Sequence, residues 1–180
     1  MLRITVPASN ELWDEKNQMF VTAKEQTLQL EHSLVSLSKW ESKWCKAFFN
    51  SDKTPEELVD YIKCMTLTQN VPPEVYDRLT AENIREINDY IEAPMTATYF
   101  SQEQRAGHSR EVITAELIYY WMIALNIPFE CQKWHINRLL TLIRVCNIKN
   151  QPAKKMSRRD ILSRNAQLNA ARRTKLNTKG

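Results

Sequence analysis

Hydrophobic residues change their spacing along this chain, from every second position, to every third or fourth, and at the end to almost none. In the opening run Leu2, Ile4 and Val6 alternate with polar neighbours until Pro7 stops it, which predicts a short strand. ELWDEKNQMFVT predicts a hairpin, with Trp13 and residues 19–21 on strands around the turn-forming residues 14–17. TLQLEH adds a further alternating run through Leu28 and Leu30. Together these predict a small N-terminal β-sheet within residues 1–32.

From Ser33 the period becomes helical. Leu34, Leu37, Trp40, Trp44 and Phe48 fall on one face, so one helix is expected to bury both tryptophans and Phe48. TPEELVDYIKCM starts the next helix, with Thr54 as cap, Pro55 in the first turn and Glu57 completing a capping box. PPEVYDRL predicts a short helix, and TAENIREINDYIEA a longer one with Ile84, Ile87 and Ile91 on one stripe before Pro94.

PMTATYFSQEQRAGHS, holding Gly107 and His108, reads as a loop. REVITAELIYYWMIALN is apolar on more than one side and is expected to be the central buried helix. FECQKWHINRLLTLIRVCNI follows at once as a second helix, and the short connection through Pro128 predicts an antiparallel hairpin of the two.

The predicted architecture is mainly α: a helical domain with a small N-terminal sheet over residues 1–150, then a basic, partly helical C-terminal tail over residues 151–180. In the tail Ser157 and Asp160 repeat the capping spacing, so a helix is expected from 158 to about 170. Ile161, Leu162, Ala166 and Leu168 offer it little to bury, and its order is expected to come with a partner.

Composition narrows the chemistry. Gly occurs twice, at Gly107 and Gly180, which removes the glycine-rich phosphate loops of nucleotide-binding folds. Cys45, Cys64, Cys131 and Cys146 lack CxxC pairing, and the first residues lack a signal-peptide pattern, so a reducing interior is expected. No apolar stretch approaches the ~20 residues of a membrane span. Residues 151–180 hold nine Lys or Arg and one Asp, a net +8, which leaves −4 for residues 1–150.

Candidate sites are sparse. Cys131, His135 and Cys146 share a helical stripe, but Cys146 would lie about 16 Å along the axis from His135, too far for one metal. Core packing is therefore the expectation for these cysteines, and no metal or cofactor is expected. His32, His108 and His135 have no flanking sequence that marks a general base, and Glu56 and Glu57 suit a helix N-terminus, so no catalytic residue and no enzyme is expected. The aromatic residues Tyr119, Tyr120, Trp121 and Trp134 have the helical spacing of a core.

The tail is where an interaction is expected, through Lys154, Lys155, Arg158, Arg159, Arg164, Arg172, Arg173 and Lys175, with Lys179 beyond them. These cations could neutralise phosphates. No aromatic is interleaved for base stacking. Non-specific nucleic-acid contact, a protein partner and a solubilising role stay equally open on these residues.

Three stretches, TLQLEHSLVSLSKWESKW, NIPFECQKWHINRLLTLIRVCNIKN and RNAQLNAARRTKLNTKG, cover about a third of the chain. Together they resemble the tail assembly chaperones of long-tailed bacteriophages. The resemblance implies a protein of the infected host's cytoplasm that binds the tape measure protein, keeps it soluble until tail tube subunits polymerise, and is absent from the mature virion. It also implies the tail tube protein as a further partner and, in many members, a frameshifted extended form. Self-association stays open. On this reading the helix from 33 to 49 and the segment 111–146 build a groove for an amphipathic tape segment, and the basic tail either contacts acidic tape segments or positions the extended form. The rival expectations are a structural head-to-tail or tail subunit, and a nucleic-acid-binding protein acting through the tail.

Overall fold

The alternating run at the N-terminus finds its partner in the alternating run before Ser33. Strand β1 (Leu2–Val6) pairs antiparallel with β4 (Gln26–Leu30), placing Leu2 opposite Leu30 and Ile4 opposite Leu28. Period-two geometry turns Ile4, Val6, Leu28 and Leu30 inward, and all four are buried. Between them in sequence β2 (Ser9–Asp14) and β3 (Met19–Ala23) pair antiparallel as a second, separate two-stranded sheet. The computed structural model describes residues 1–14, 19–100, 111–151 and 157–177, without the side chains of 9–22. Most of the expected turn at 14–17, the Trp13 side chain, Gly107 and His108 lie outside the described residues.

The remainder is helical, with seven α-helices among the described residues. Helix α1 (Leu34–Trp44) opens on a capping box, Ser36 N–H donating to Ser33 Oγ and Ser33 N–H to Ser36 Oγ. It ends before Phe48, contrary to the single helix expected. Cys45 takes a left-handed conformation at φ 53°, and the Glu41 carboxylate accepts the Phe48 N–H at 2.7 Å. That side-chain acceptor competes with the helical carbonyl four residues back. Phe48 consequently reaches the core from a turn, edge-on to Trp40 with ring centres 5.2 Å apart.

Helix α2 (Pro55–Met65) carries the expected Thr54–Glu57 capping box and lies against α1. Trp40 Nε1 donates to the Glu57 carbonyl at 2.9 Å, Trp44 Nε1 to Asp60 at 3.0 Å, and Lys43 pairs with Asp60 at 2.6 Å. Beyond α2, Glu31 N–H donates to the Met65 carbonyl and Leu67 N–H to the Gln29 carbonyl, so this segment runs beside β4. Helices α3 (Glu74–Asp77) and α4 (Ala81–Glu92) follow. Val75 and Tyr76 are buried, Ile87 of α4 is buried, and Asn83 Nδ2 donates to the Thr5 carbonyl of β1.

Two expectations fail in the last third of the body. Helix α5 (Ala115–Ala124) starts later than expected, at the Thr114 cap, and is not central: Ala115, Ile118 and Met122 are buried while Tyr120 and Ile123 are exposed. The following segment is not one continuous helix closing a hairpin. Residues 129–133 form a 3-10 turn, Trp134 is extended, and only Ile136–Asn150 is α-helical, as α6. Tertiary bonds explain the break: His135 bridges Ser33, and Ile136 N–H donates to the His32 carbonyl at 2.7 Å. A backbone held alongside the entry to α1 cannot also satisfy a helix.

The chain divides into two compact units, 1–147 and 148–180. The second contains α7 (Arg158–Leu176), in which no residue is buried. No helix among the described residues is long and apolar enough to cross a membrane.

Candidate functional site

Helix α7 forms for local reasons. Ser157 Oγ accepts from the Asp160 N–H at 3.1 Å and donates to the Asp160 carboxylate, completing the N-terminal cap that the Ser–Asp spacing announces. At the other end Asn177 adopts φ 49° and its N–H bonds the Arg173 carbonyl, so the helix runs to Leu176 rather than to about 170. Of the tail cations singled out by composition, Arg158, Arg159, Arg164, Arg172, Arg173 and Lys175 all stand exposed on this helix. Lys154, Lys155 and Lys179 lie outside the described residues. At 100° per residue the six described cations spread over roughly two thirds of the circumference, and the side of Asp160, Ser163, Gln167 and Ala170 carries none. Ile161 and Leu168, seven residues apart, nevertheless share one stripe, and both are exposed.

The body presents an apolar face that periodicity assigned to the core. On α5 the buried positions Ala115, Ile118 and Met122 define the inner side. Helical geometry puts Glu116, Tyr120, Ile123 and Ala124 on the outer side, where Tyr120 is 63% and Ile123 61% exposed. Tyr119 sits at the edge of this face, its hydroxyl donating to Gln132 at 2.9 Å. Its ring lies 6.4 Å from that of Phe129, which is 52% exposed in the 3-10 turn. Trp121 and Trp134 are half-buried, and Arg138 stacks on Trp134 at 4.2 Å. The four aromatics expected in the core thus line its margin, with Tyr120 in solvent. An all-apolar helix reads as buried in sequence, whereas this one turns its outer apolar side outward.

His32 and His135, which sequence left without a role, meet in the interior with ring centres 5.0 Å apart. His32 Nδ1 lies 2.5 Å from the Tyr61 hydroxyl. His135 Nδ1 accepts from the Asn137 N–H, which leaves the proton on Nε2 to donate to the Tyr90 carbonyl at 2.9 Å. The Tyr90 hydroxyl in turn donates to Glu31 at 2.7 Å. Burial, reinforced by His135, pushes the His32 pKa down to about 3, and burial lowers that of His135 as well. Burial also raises the Tyr61 phenol far above its ordinary value. The two imidazoles and the Tyr61 phenol are neutral at physiological pH, and two separate sets of bonds hold them: His32, between β4 and α1, to Tyr61 of α2, and His135, ahead of α6, to the Tyr90 carbonyl of α4.

The imagined Cys131–His135–Cys146 stripe does not exist: Cys131 is buried in the 3-10 turn, His135 precedes α6, and Cys146 is half-buried on it. Among the described residues no group of three or more His, Cys, Asp or Glu is placed to hold a metal ion. Between α2 and α4 runs an open apolar groove of about 230 Å³, walled by Leu58, Val59, Ile62, Ile84, Ile87 and Ile91. That volume is below the ~300–1,000 Å³ of pockets that enclose small ligands. It suits protruding side chains. No protein family matches this chain, and no curated protein or solved structure matches it.

Proposed function

We propose that the chain is an assembly chaperone of the kind encoded by long-tailed bacteriophages, binding the tape measure protein in the host cytoplasm and leaving before the virion is complete. The observation that carries this reading is the outer face of α5, where Tyr120, Ile123 and the neighbouring Phe129 expose apolar surface on a helix anchored from behind. A long helical partner with apolar stripes aggregates when those stripes meet water. A face of this kind can cover such a stripe. The resemblance of residues 27–44, 126–150 and 164–180 to tail assembly chaperones supplies the identity of the partner, and the cations of α7 supply an accessory contact to its acidic segments.

The test is co-expression with the tape measure protein of the same phage. Wild-type chain is expected to hold the tape protein in the soluble fraction, and Tyr120→Asp with Ile123→Asp to release most of it to the pellet while the variant itself stays folded. Equal solubility with the double variant would sink the reading. So would detection of this chain in purified particles, the mark of a structural subunit. Retention of nucleic acid instead of tape protein, lost when the α7 arginines become alanine, would transfer the function to the tail.

A further inference from the structure

Helix α7 carries charge where helix stability does not explain it. Its 19 residues hold six cations and one acid, a net +5. Arg173 and Lys175 in the last turn, and Asp160 in the first, complement the helix dipole. Arg158 and Arg159, by contrast, follow the Ser157 cap at the positive end of the helix, where a cation is unfavourable. At 100° per residue Arg158, Arg172 and Arg173 fall within one arc of about 100°, and Asp160 stands on the opposite side. The arginine pairs at the two ends, 158–159 and 172–173, are 14 residues apart, roughly 21 Å. Between them the same arc presents Asn165 and Asn169, both exposed.

This pattern is not that of a helix built for an apolar groove. Ile161 and Leu168 share a stripe, but the positions that join them on it are Arg164 and Asn165. Anchors at every third or fourth residue are missing. No residue of the helix is aromatic, which leaves no platform for unpaired bases. What remains is a helix with cations at both ends and two amide side chains between them. The major groove of B-form DNA, about 12 Å wide, admits such a helix between two rows of phosphates and displays base edges that Asn can hydrogen-bond.

We propose that α7 binds double-stranded DNA in the major groove, with Arg158, Arg159, Arg172 and Arg173 on phosphates and Asn165 and Asn169 toward the base edges. Asp160 and the cation-free side face away. The inference stands apart from capture of a protein by α5, and it competes with the accessory use of the same cations on acidic tape segments.

The measurement is fluorescence anisotropy of a labelled DNA duplex of about 20 base pairs, titrated with the full chain between about 50 and about 200 mM salt. Neutralising about four phosphates should make affinity fall on the order of 100-fold over that range. Arg158→Gln with Arg172→Gln should reduce the slope of log affinity against log salt by about 2. Asn165→Ala with Asn169→Ala should weaken binding several-fold at unchanged slope. Ala170→Pro breaks the helix while keeping every charge, and should weaken binding tenfold or more. Because α7 buries nothing, the thermal midpoint of the body should match wild type in each variant. Single-stranded DNA, and double-stranded RNA with its deep, narrow major groove, should bind at least tenfold more weakly. Duplex DNA binding that survives Ala170→Pro, that RNA or single strands equal, or that the asparagine variant leaves unchanged would overturn the assignment. So would equal binding to poly-glutamate, the behaviour of a helix made for acidic protein segments, or no binding at the lowest salt.

Discussion

Acid should weaken this fold through His32. Its ring is buried and its pKa is held down to about 3 by burial and by His135, whereas in the unfolded chain it titrates near 6.5. The unfolded state therefore binds a proton that the folded state refuses throughout the window from about 6.5 to about 3, and stability falls as pH falls through it. One pH unit within that window is worth ~1.4 kcal/mol. Going from pH 7.5 to pH 5.0 thus removes about 2 kcal/mol, out of ~5–15 kcal/mol for an ordinary domain. In a body of this size that is a fall in thermal midpoint of ~4–8 °C. The lowered pKa of His135 acts in the same direction. The assay is urea unfolding followed by tryptophan fluorescence, on wild type and His32→Gln, at both pH values. Glutamine keeps a polar partner for Tyr61 but cannot titrate, and carboxylate effects are common to both proteins. The stability gap between them should narrow by about 2 kcal/mol on acidification. A gap of the same size at pH 7.5 and pH 5.0 would refute the account of His32 as a buried neutral ring.

Three further perturbations address the remaining ties. Glu41→Ala strips acceptors from the buried Phe48 and Ala115 N–H groups, each bonded at 2.7 Å, and should cost about 2–4 kcal/mol in urea unfolding. Glu41→Gln, which keeps one carbonyl oxygen, should cost about half of that, and equal losses would exclude the double-acceptor role. Thr54→Ala removes the α2 cap and should cost ~1 kcal/mol, read from the same curves; no change would mean the first turn is held by packing alone. Asn137→Ala frees the Ile91 and Ala93 carbonyls at the end of α4 and should cost ~1–2 kcal/mol, with faster amide exchange in the last turn of α4 as its local signature.

Elements whose causes are local were legible in the sequence. The Thr54–Pro55–Glu57 start of α2, the alternation of β1 and β4, and the Ser157–Asp160 cap of α7 each depend on residues within a few positions of one another. Elements decided by distant partners were not. The end of α1 depends on a Glu41 carboxylate shared between Phe48 and Ala115, and residue 115 is remote in sequence from 41. The break before α6 depends on the pairing of residues 135 and 136 with residues 32 and 33. Periodicity likewise carried no sign that the second apolar side of α5 faces solvent, because nothing in the segment says how many neighbours will cover it. For the tail, charge alone identified the cations, and Asn177 was an overlooked stop signal for the helix. The α2–α4 groove had no sequence signature, since it is the space left by two helices whose stripes were read separately.

The same contacts separate what folds the body from what its surfaces can do. Helix α5 is fixed from behind by Ala115, Ile118 and Met122, and at its first N–H by Glu41, so its position does not depend on Tyr120 or Ile123. The groove is similar: Ile62 and Ile87 hold its floor in the core, while Leu58 and Asn88 stand on its rim. Polar substitutions at the outer residues consequently change the surface without opening the core, because the transfer of an already exposed side chain costs little. In the proposed co-expression test, a loss of solubility with an α5 variant that keeps the wild-type unfolding curve is a statement about the surface, whereas the same loss with a Glu41 variant is a statement about folding. That contrast allows the proposed capture and stability to be assigned to two different sets of residues in one chain.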